Sequence, residues 1–147
     1  MPVTRVKSKW VDGNLIFTTN EGVEIARFDY AAGSLSMRRK VAVHVASATL
    51  VKEDSGSLLT NLGATGAVVL TLPQDAPIGT EFTAVVSAAQ VLSLDPGAAG
   101  GIYIAGAKQA DNKTISADDE AESVTLTALG TGDWLASGAT GTWTVES

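Results

Sequence analysis

The chain has 147 residues, enough for one domain with a core of its own and too few for two of comfortable size. It has no cysteine, which excludes a disulfide framework and thiolate chemistry, and its 15 glycines against 5% aromatics favour short strands and tight turns over long helices. Net charge is −6 but uneven: residues 1–52 hold eight of the ten Lys and Arg against four acids, and the remainder sets twelve acids against Lys108 and Lys113. A basic N-terminal part on an acidic body implies that the two face different surroundings. No apolar run approaches the roughly 20 residues of a spanning helix, and MPVTRVKSKW lacks the apolar stretch of a secretory signal. A soluble protein made without export by that route is expected.

Residues 1–40 read as one unit. Trp10-Val11 leads into the turn Asp12-Gly13-Asn14, and residues 15–19 form a strand. Asn20-Glu21-Gly22 is a second turn, because Asn and Gly tolerate positive φ. A strand over 23–30 would set Val23, Ile25 and Arg27 on one face and Glu24, Ala26, Phe28 and Tyr30 on the other. After Ala31-Ala32-Gly33-Ser34, Leu35-Ser36-Met37 reads as one more short strand. Such a meander is too small to hold itself together. Its large apolar groups, Trp10, Ile16, Phe17, Ile25, Phe28 and Tyr30, need another surface: the rest of the chain, a neighbouring copy or a foreign partner. The basic step Arg38-Arg39-Lys40 marks a boundary, giving an arm over 1–40 and a body over 41–147.

From Val41 the rhythm is that of strands. Val41, Val43 and Val45 share one face, with Ala42, His44 and Ala46 on the other, and the strand is expected to run on to Leu50-Val51. Residues 52–57 are a polar turn. In LLTNLGATGAVVLTLP, residues 58–73, Asn61 and Gly63 supply unusual backbone angles while Val68, Leu70 and Leu72 point to one face. Pro73 ends that strand because it cannot donate to a ladder. Pro77-Ile78-Gly79-Thr80 is a turn, and Phe82, Ala84 and Val86 line the next strand. Weaker strands over 91–94 and 102–104 flank the loop 95–101, and 123–129 is the clearest late strand. Gly130 to Leu135, a glycine turn and a last strand over 141–145 follow, and 117–121 suits a single acidic helical turn. The expected fold is all-β, a compact barrel or sandwich.

Chemistry is sparse. His44 is the sole histidine, and a zinc or catalytic role would need two or three further ligands or partners, so a structural or solvent-facing role is expected. Asp118-Asp119-Glu120 with Glu122 lacks the spacing of a calcium loop and reads as solvated. Glu53-Asp54 stands beside Ser55 without a base to activate the hydroxyl. Nothing selects a carboxylate pair for glycoside hydrolysis. No glycine cluster has the phosphate-cradle spacing, and the acidic body would repel nucleic acid. Trp134 and Trp143 are candidates for a sugar-stacking platform, but tryptophans at strand ends are expected in the core. The expectation is a protein without enzymatic activity, cofactor or metal.

The segments Leu59-Thr60-Asn61-Leu62-Gly63-Ala64-Thr65-Gly66-Ala67, Leu70-Thr71-Leu72-Pro73 and Ile78-Gly79-Thr80-Glu81-Phe82 are followed by a glycine-led strand at 102–104. Two G-x-W steps, Gly132-Asp133-Trp134 and Gly141-Thr142-Trp143, close the pattern. Together they resemble a module of structural proteins from tailed bacteriophages, and SKWVDGNLIF looks like the start of short phage proteins that carry it. The resemblance spans most of the chain in short pieces. It implies a head decoration (cement) protein: a β-rich homotrimer on the outer capsid surface of the virion, made in the host cytoplasm, that clamps neighbouring major capsid subunits. The arm would attach by strand addition, with avidity across many small contacts. Its expected contact residues are Arg5, Lys7, Lys9, Trp10, Phe17, Arg27, Phe28, Tyr30, Arg38, Arg39 and Lys40, and a salt-sensitive charge component is expected. The residues defining the module's turns and core are Thr60, Asn61, Gly63, Leu72, Pro73, Gly79, Trp134 and Trp143. The alternatives are a trimeric tail-fibre or tailspike segment, and a host-glycan-binding module using Trp134, Trp143 and Tyr103. Exposed coplanar aromatics would favour sugar, and buried tryptophans a scaffold.

Overall fold

The computed structural model describes residues 6–147, so the expected contact residue Arg5 lies outside the described residues. Regular structure in them is all strand, apart from one 3₁₀ turn at Lys52–Asp54. The first strands are β1 Lys7–Val11, β2 Asn14–Thr18, β3 Glu24–Asp29, β4 Ser34–Met37, β5 Val41–Val43, β6 Ala48–Thr49, β7 Leu58–Thr60 and β8 Val68–Thr71. Then come β9 Glu81–Val85, β10 Leu92–Asp95, β11 Ile102–Ile104, β12 Ala107–Lys108, β13 Ile115–Ala117, β14 Ser123–Gly130, β15 Asp133–Thr140 and β16 Thr144–Val145. They divide into two compact units, one ending at Arg39 and the other running from Lys40 to Ser147. Lys40 goes with the second: its carbonyl accepts the Leu58 N–H at 2.8 Å and its ammonium pairs with Asp54.

The first unit is an antiparallel meander in the order β1-β2-β3-β4. Asp12 and Gly13 join β1 to β2 at φ of 47° and 80°, the double positive φ that a two-residue hairpin requires to match strand twist. Asp29 closes the connection from β3 to β4 by accepting the Ala32 N–H at 2.9 Å.

The second unit holds two sheets, in the orders β12-β11-β15-β14-β9-β7-β5 and β16-β13-β10-β8-β6. From β5 to β10 the chain alternates between them, and within each sheet the successive strands are parallel neighbours. Parallel neighbours need a crossover, usually helical. Here a strand of the opposite sheet serves, so residues 41–95 wind as three coils, each giving one strand to each sheet. Later strands add antiparallel pairs, chiefly the hairpin of β14 and β15. Period-two alternation aims Leu59, Phe82, Val124, Leu126, Ile102 and Trp134 inward from one sheet and Val68, Leu70, Leu92, Leu94 and Ile115 from the other, all at 0% exposure. They form one core cluster between the sheets, as in a sandwich, with the Phe82 and Trp134 rings 5.8 Å apart.

Three local expectations are corrected. The strand expected over 41–51 is two strands in two sheets: after Val43 only the His44 N–H continues the pairing, to Thr60 at 2.8 Å, before the chain crosses to β6. Its valine face is also not the core face, since Val41, Val43 and Val45 are exposed and Ala42 packs inward. The glycine turn expected after Leu135 is absorbed by β15, which runs to Thr140 with a register shift between Ser123 and Thr125 of its partner. Residues 118–121 form a non-helical turn with Ala121 at φ 74°.

The TN-x-GA stretch proves to be a corner. Asn61 is fully buried just beyond β7, and Gly63 follows at φ 79°. Asn61 Oδ1 accepts the N–H groups of Ser87 (2.7 Å) and Ala88 (3.1 Å), while Nδ2 donates to the carbonyls of Ala88 (3.1 Å) and Gln90 (3.0 Å). Thr60 adds a hydroxyl bond to Ser87 at 2.6 Å. One coil is thus tied to the next where ladder pairing has ended. Asn61→Ala strips partners from several backbone groups, each worth about 1–3 kcal/mol when left unsatisfied. A loss of roughly 3 kcal/mol in urea unfolding is expected. Asn61→Asp should be no better, since it keeps the acceptor, loses the donor and introduces a buried charge. A loss under about 1 kcal/mol for both would show that water replaces the amide.

Candidate interaction surfaces

Among the described residues no group of three or more His, Asp or Glu is placed to hold a metal ion. His44 is half-buried, and desolvation pushes its imidazole below its ordinary pKa, with Asp54 opposing. The strongly engaged carboxylates of the body serve the backbone instead. Asp133 accepts the Gly101 N–H at 2.9 Å and meets Lys108, and these two donors, the N–H foremost, hold it below the usual range. Glu122, expected in a solvated loop, is only 8% exposed. It accepts N–H groups from Thr142, Asp119 (3.1 Å) and Asp118 (3.2 Å), and these lower its pKa. Gly141 makes this possible: it sits at φ 76°, and a Cβ there would fall 2.3 Å from Glu122 Oε1. The sequence held no signal for the long-range part of this role, because Thr142 lies in a turn twenty residues away.

The tryptophans are core residues. Trp134 is at 0% exposure and Trp143 at 9%, with the Trp143 indole N–H donated to the Ser123 carbonyl at 3.1 Å. Neither offers an open ring face to a sugar. Tyr103 is half-buried, with the Lys108 ammonium 5.9 Å from its ring centre. Leu72 and Pro73 are buried too, the Leu72 N–H reaching the Asp95 carbonyl at 2.8 Å, and Gly79 at φ 88° donates to Ala128 at 2.9 Å. Of the residues expected in the turns and core, Thr60, Asn61, Leu72, Pro73, Trp134 and Trp143 are buried in the body and Gly63 and Gly79 stand in exposed turns.

The arm sheet has two unlike faces. Cross-strand register aligns Trp10-Leu15-Phe28-Leu35 in one row and Ser8-Phe17-Ala26-Met37 in the next, both on the same face and both without charge. Trp10 is 66%, Leu35 61% and Met37 73% exposed, so this apolar face is open. The opposite face carries Lys7, Lys9 and Arg27 around buried Ile16. Arg27 is already engaged there, bidentate to Glu24 at 2.9 and 2.8 Å, which lowers the Glu24 pKa. The expected contact residues are thus sorted, with Trp10, Phe17 and Phe28 on one side and Lys7, Lys9 and Arg27 on the other. Tyr30 stands exposed in the turn after β3, and Arg38 and Arg39 follow β4, the Arg38 N–H bonding Ile25 at 3.0 Å.

No family model matches the chain, and no curated protein matches it.

The Glu122 site makes a pH prediction. Its folded-state pKa lies below the ordinary 4.5, so its stabilisation is complete above that value and is lost as pH falls through the folded-state pKa. Glu122→Gln places an amide NH₂ against a backbone N–H. It should lower the melting temperature by about 4 °C near pH 7, and the gap to wild type should narrow at an acid pH below 4.5. Calorimetry at both pH values checks this, and a gap independent of pH would contradict it.

Proposed function

We propose that the protein is a structural virion component, a homotrimeric decoration protein bound to the outer capsid surface of a tailed phage. It would strengthen contacts between major capsid subunits, with the N-terminal sheet as the anchoring element. The observation that carries this is the pair of charge-free apolar rows on the open face of that sheet. A four-stranded sheet with its large apolar groups exposed gains stability by covering them, which marks the face for a partner. The resemblance of the TN-x-GA, L-x-L-P and G-x-W segments to phage structural modules supplies the class of that partner. The burial of Trp134 and Trp143 supports a scaffold over a glycan platform. A trimer would present three such faces at once, so that weak single contacts add through avidity.

Attachment through the apolar rows makes the salt dependence weak, because the lysines and Arg27 lie on the other face. Co-sedimentation of the full-length protein with expanded, undecorated capsids should saturate at a fixed ratio to capsid subunits. It should persist at about 1 M salt, where the Debye length is only about 3 Å. Trp10→Ser combined with Phe28→Ser should abolish it while leaving the melting of the body unchanged. Folded wild-type protein that fails to sediment with capsids would end this proposal.

A further inference from the structure

We propose that the end of the body formed by residues 41–51 is the surface through which one copy of this chain meets a second, an inference that deepens the trimer reading and rests on it. Strands β5 and β6 are the last strands of their sheets and belong to the same coil, so both open edges lie at one end of the sandwich. No strand among the described residues pairs with either outer edge. The run Val41 to Val51 contains no charged residue. Val41, Val43, Val45 and Val51 are 56%, 52%, 61% and 50% exposed, and Leu62 beside them is 55% exposed. Open edges in monomeric proteins are ordinarily guarded by charge or proline. The opposite end follows that rule, with Lys108 on β12 and Glu146 directly after β16. Lysines 40 and 52 flank the neutral run without entering it, and pair with Asp54 and Asp75 of their own chain. The neutrality continues over the outer sheet face, where the cross-strand rows beginning at Val41 and Val43 cross β7, β9, β14 and β15 on Leu, Thr, Val and Ser alone.

Charge selects the occupant. From Lys40 onward the chain carries twelve acids against four lysines, so two copies repel wherever their charged surfaces face one another. A contact between copies is favoured where neither side contributes charge, which is the character of this end. A basic partner would be drawn to the acidic surface and would gain nothing here.

Light scattering on the full-length protein, with Val43→Lys, Val43→Thr and Ile78→Lys beside it, tests the inference. Ile78 is 79% exposed in the body, outside this surface, and its lysine controls for added charge. Wild type, Val43→Thr and Ile78→Lys should assemble alike, while Val43→Lys should dissociate roughly a hundredfold more readily, since it would bury an unpaired charge. Circular dichroism should show all four folded. Assembly of Val43→Lys equal to wild type would overturn this surface and leave the trimer standing. A wild type that stays at the 15.0 kDa of one chain at micromolar concentration would overturn both.

Discussion

The body depends on a single buried amide. A chain that lays parallel strands side by side by crossing through the opposite sheet must turn a corner at every crossing, and ladder pairing stops at each corner. Buried backbone groups there still require partners, and leaving them bare costs more than most single contacts return. Asn61 meets that demand with four hydrogen bonds from one side chain, two accepted and two donated, between the corner after β7 and the corner after β9. An ionised aspartate has no donor and a serine or threonine hydroxyl has a single one, so none of them can donate twice while accepting twice. The position therefore calls for an amide of this reach, and Gly63 two residues later lets the chain leave the corner at positive φ.

The same device recurs at the other end of the chain with a different residue. Glu122 accepts from three backbone N–H groups and so fixes the turn before β14 to the turn after β15. Ionisation at this site serves architecture, which explains why a lowered pKa here is no sign of catalysis. Perturbed carboxylates mark functional sites only when they converge on space for a substrate. Glu122 and Asp133 converge on backbone instead.

Much of this architecture was legible in the sequence, and the illegible parts share a physical cause. The alternation of Val68, Leu70 and Leu72 and of Phe82, Ala84 and Val86 identified strands and their shared faces, because burial on one side of a pleat writes itself in every second residue. Parallel and antiparallel neighbours obey that same period, so the coiled winding left no trace in it. The break between β5 and β6 was invisible for a related reason: His44-Val45-Ala46-Ser47 contains neither Gly nor Pro, and its alternation reads straight through a corner. The role of Glu122 was hidden because Thr142, the donor that ties it to the far turn, becomes its neighbour only after the β14–β15 hairpin has formed.

Two neutral surfaces remain on an otherwise charged chain, and their chemistry differs in a way that suits different tasks. The arm sheet offers large apolar groups of mixed shape, Trp10, Phe28, Leu35 and the flexible Met37, which do not repeat a strand's pleat. The end of the body offers valines on strand edges, stiff at χ1 and beside unpaired backbone, which favour a partner of matching pleat and spacing. A surface of the second kind suits another copy of the same fold, and one of the first kind suits a foreign protein. If the proposed trimer forms through those edges, it would gather several weak arms into one avid ligand.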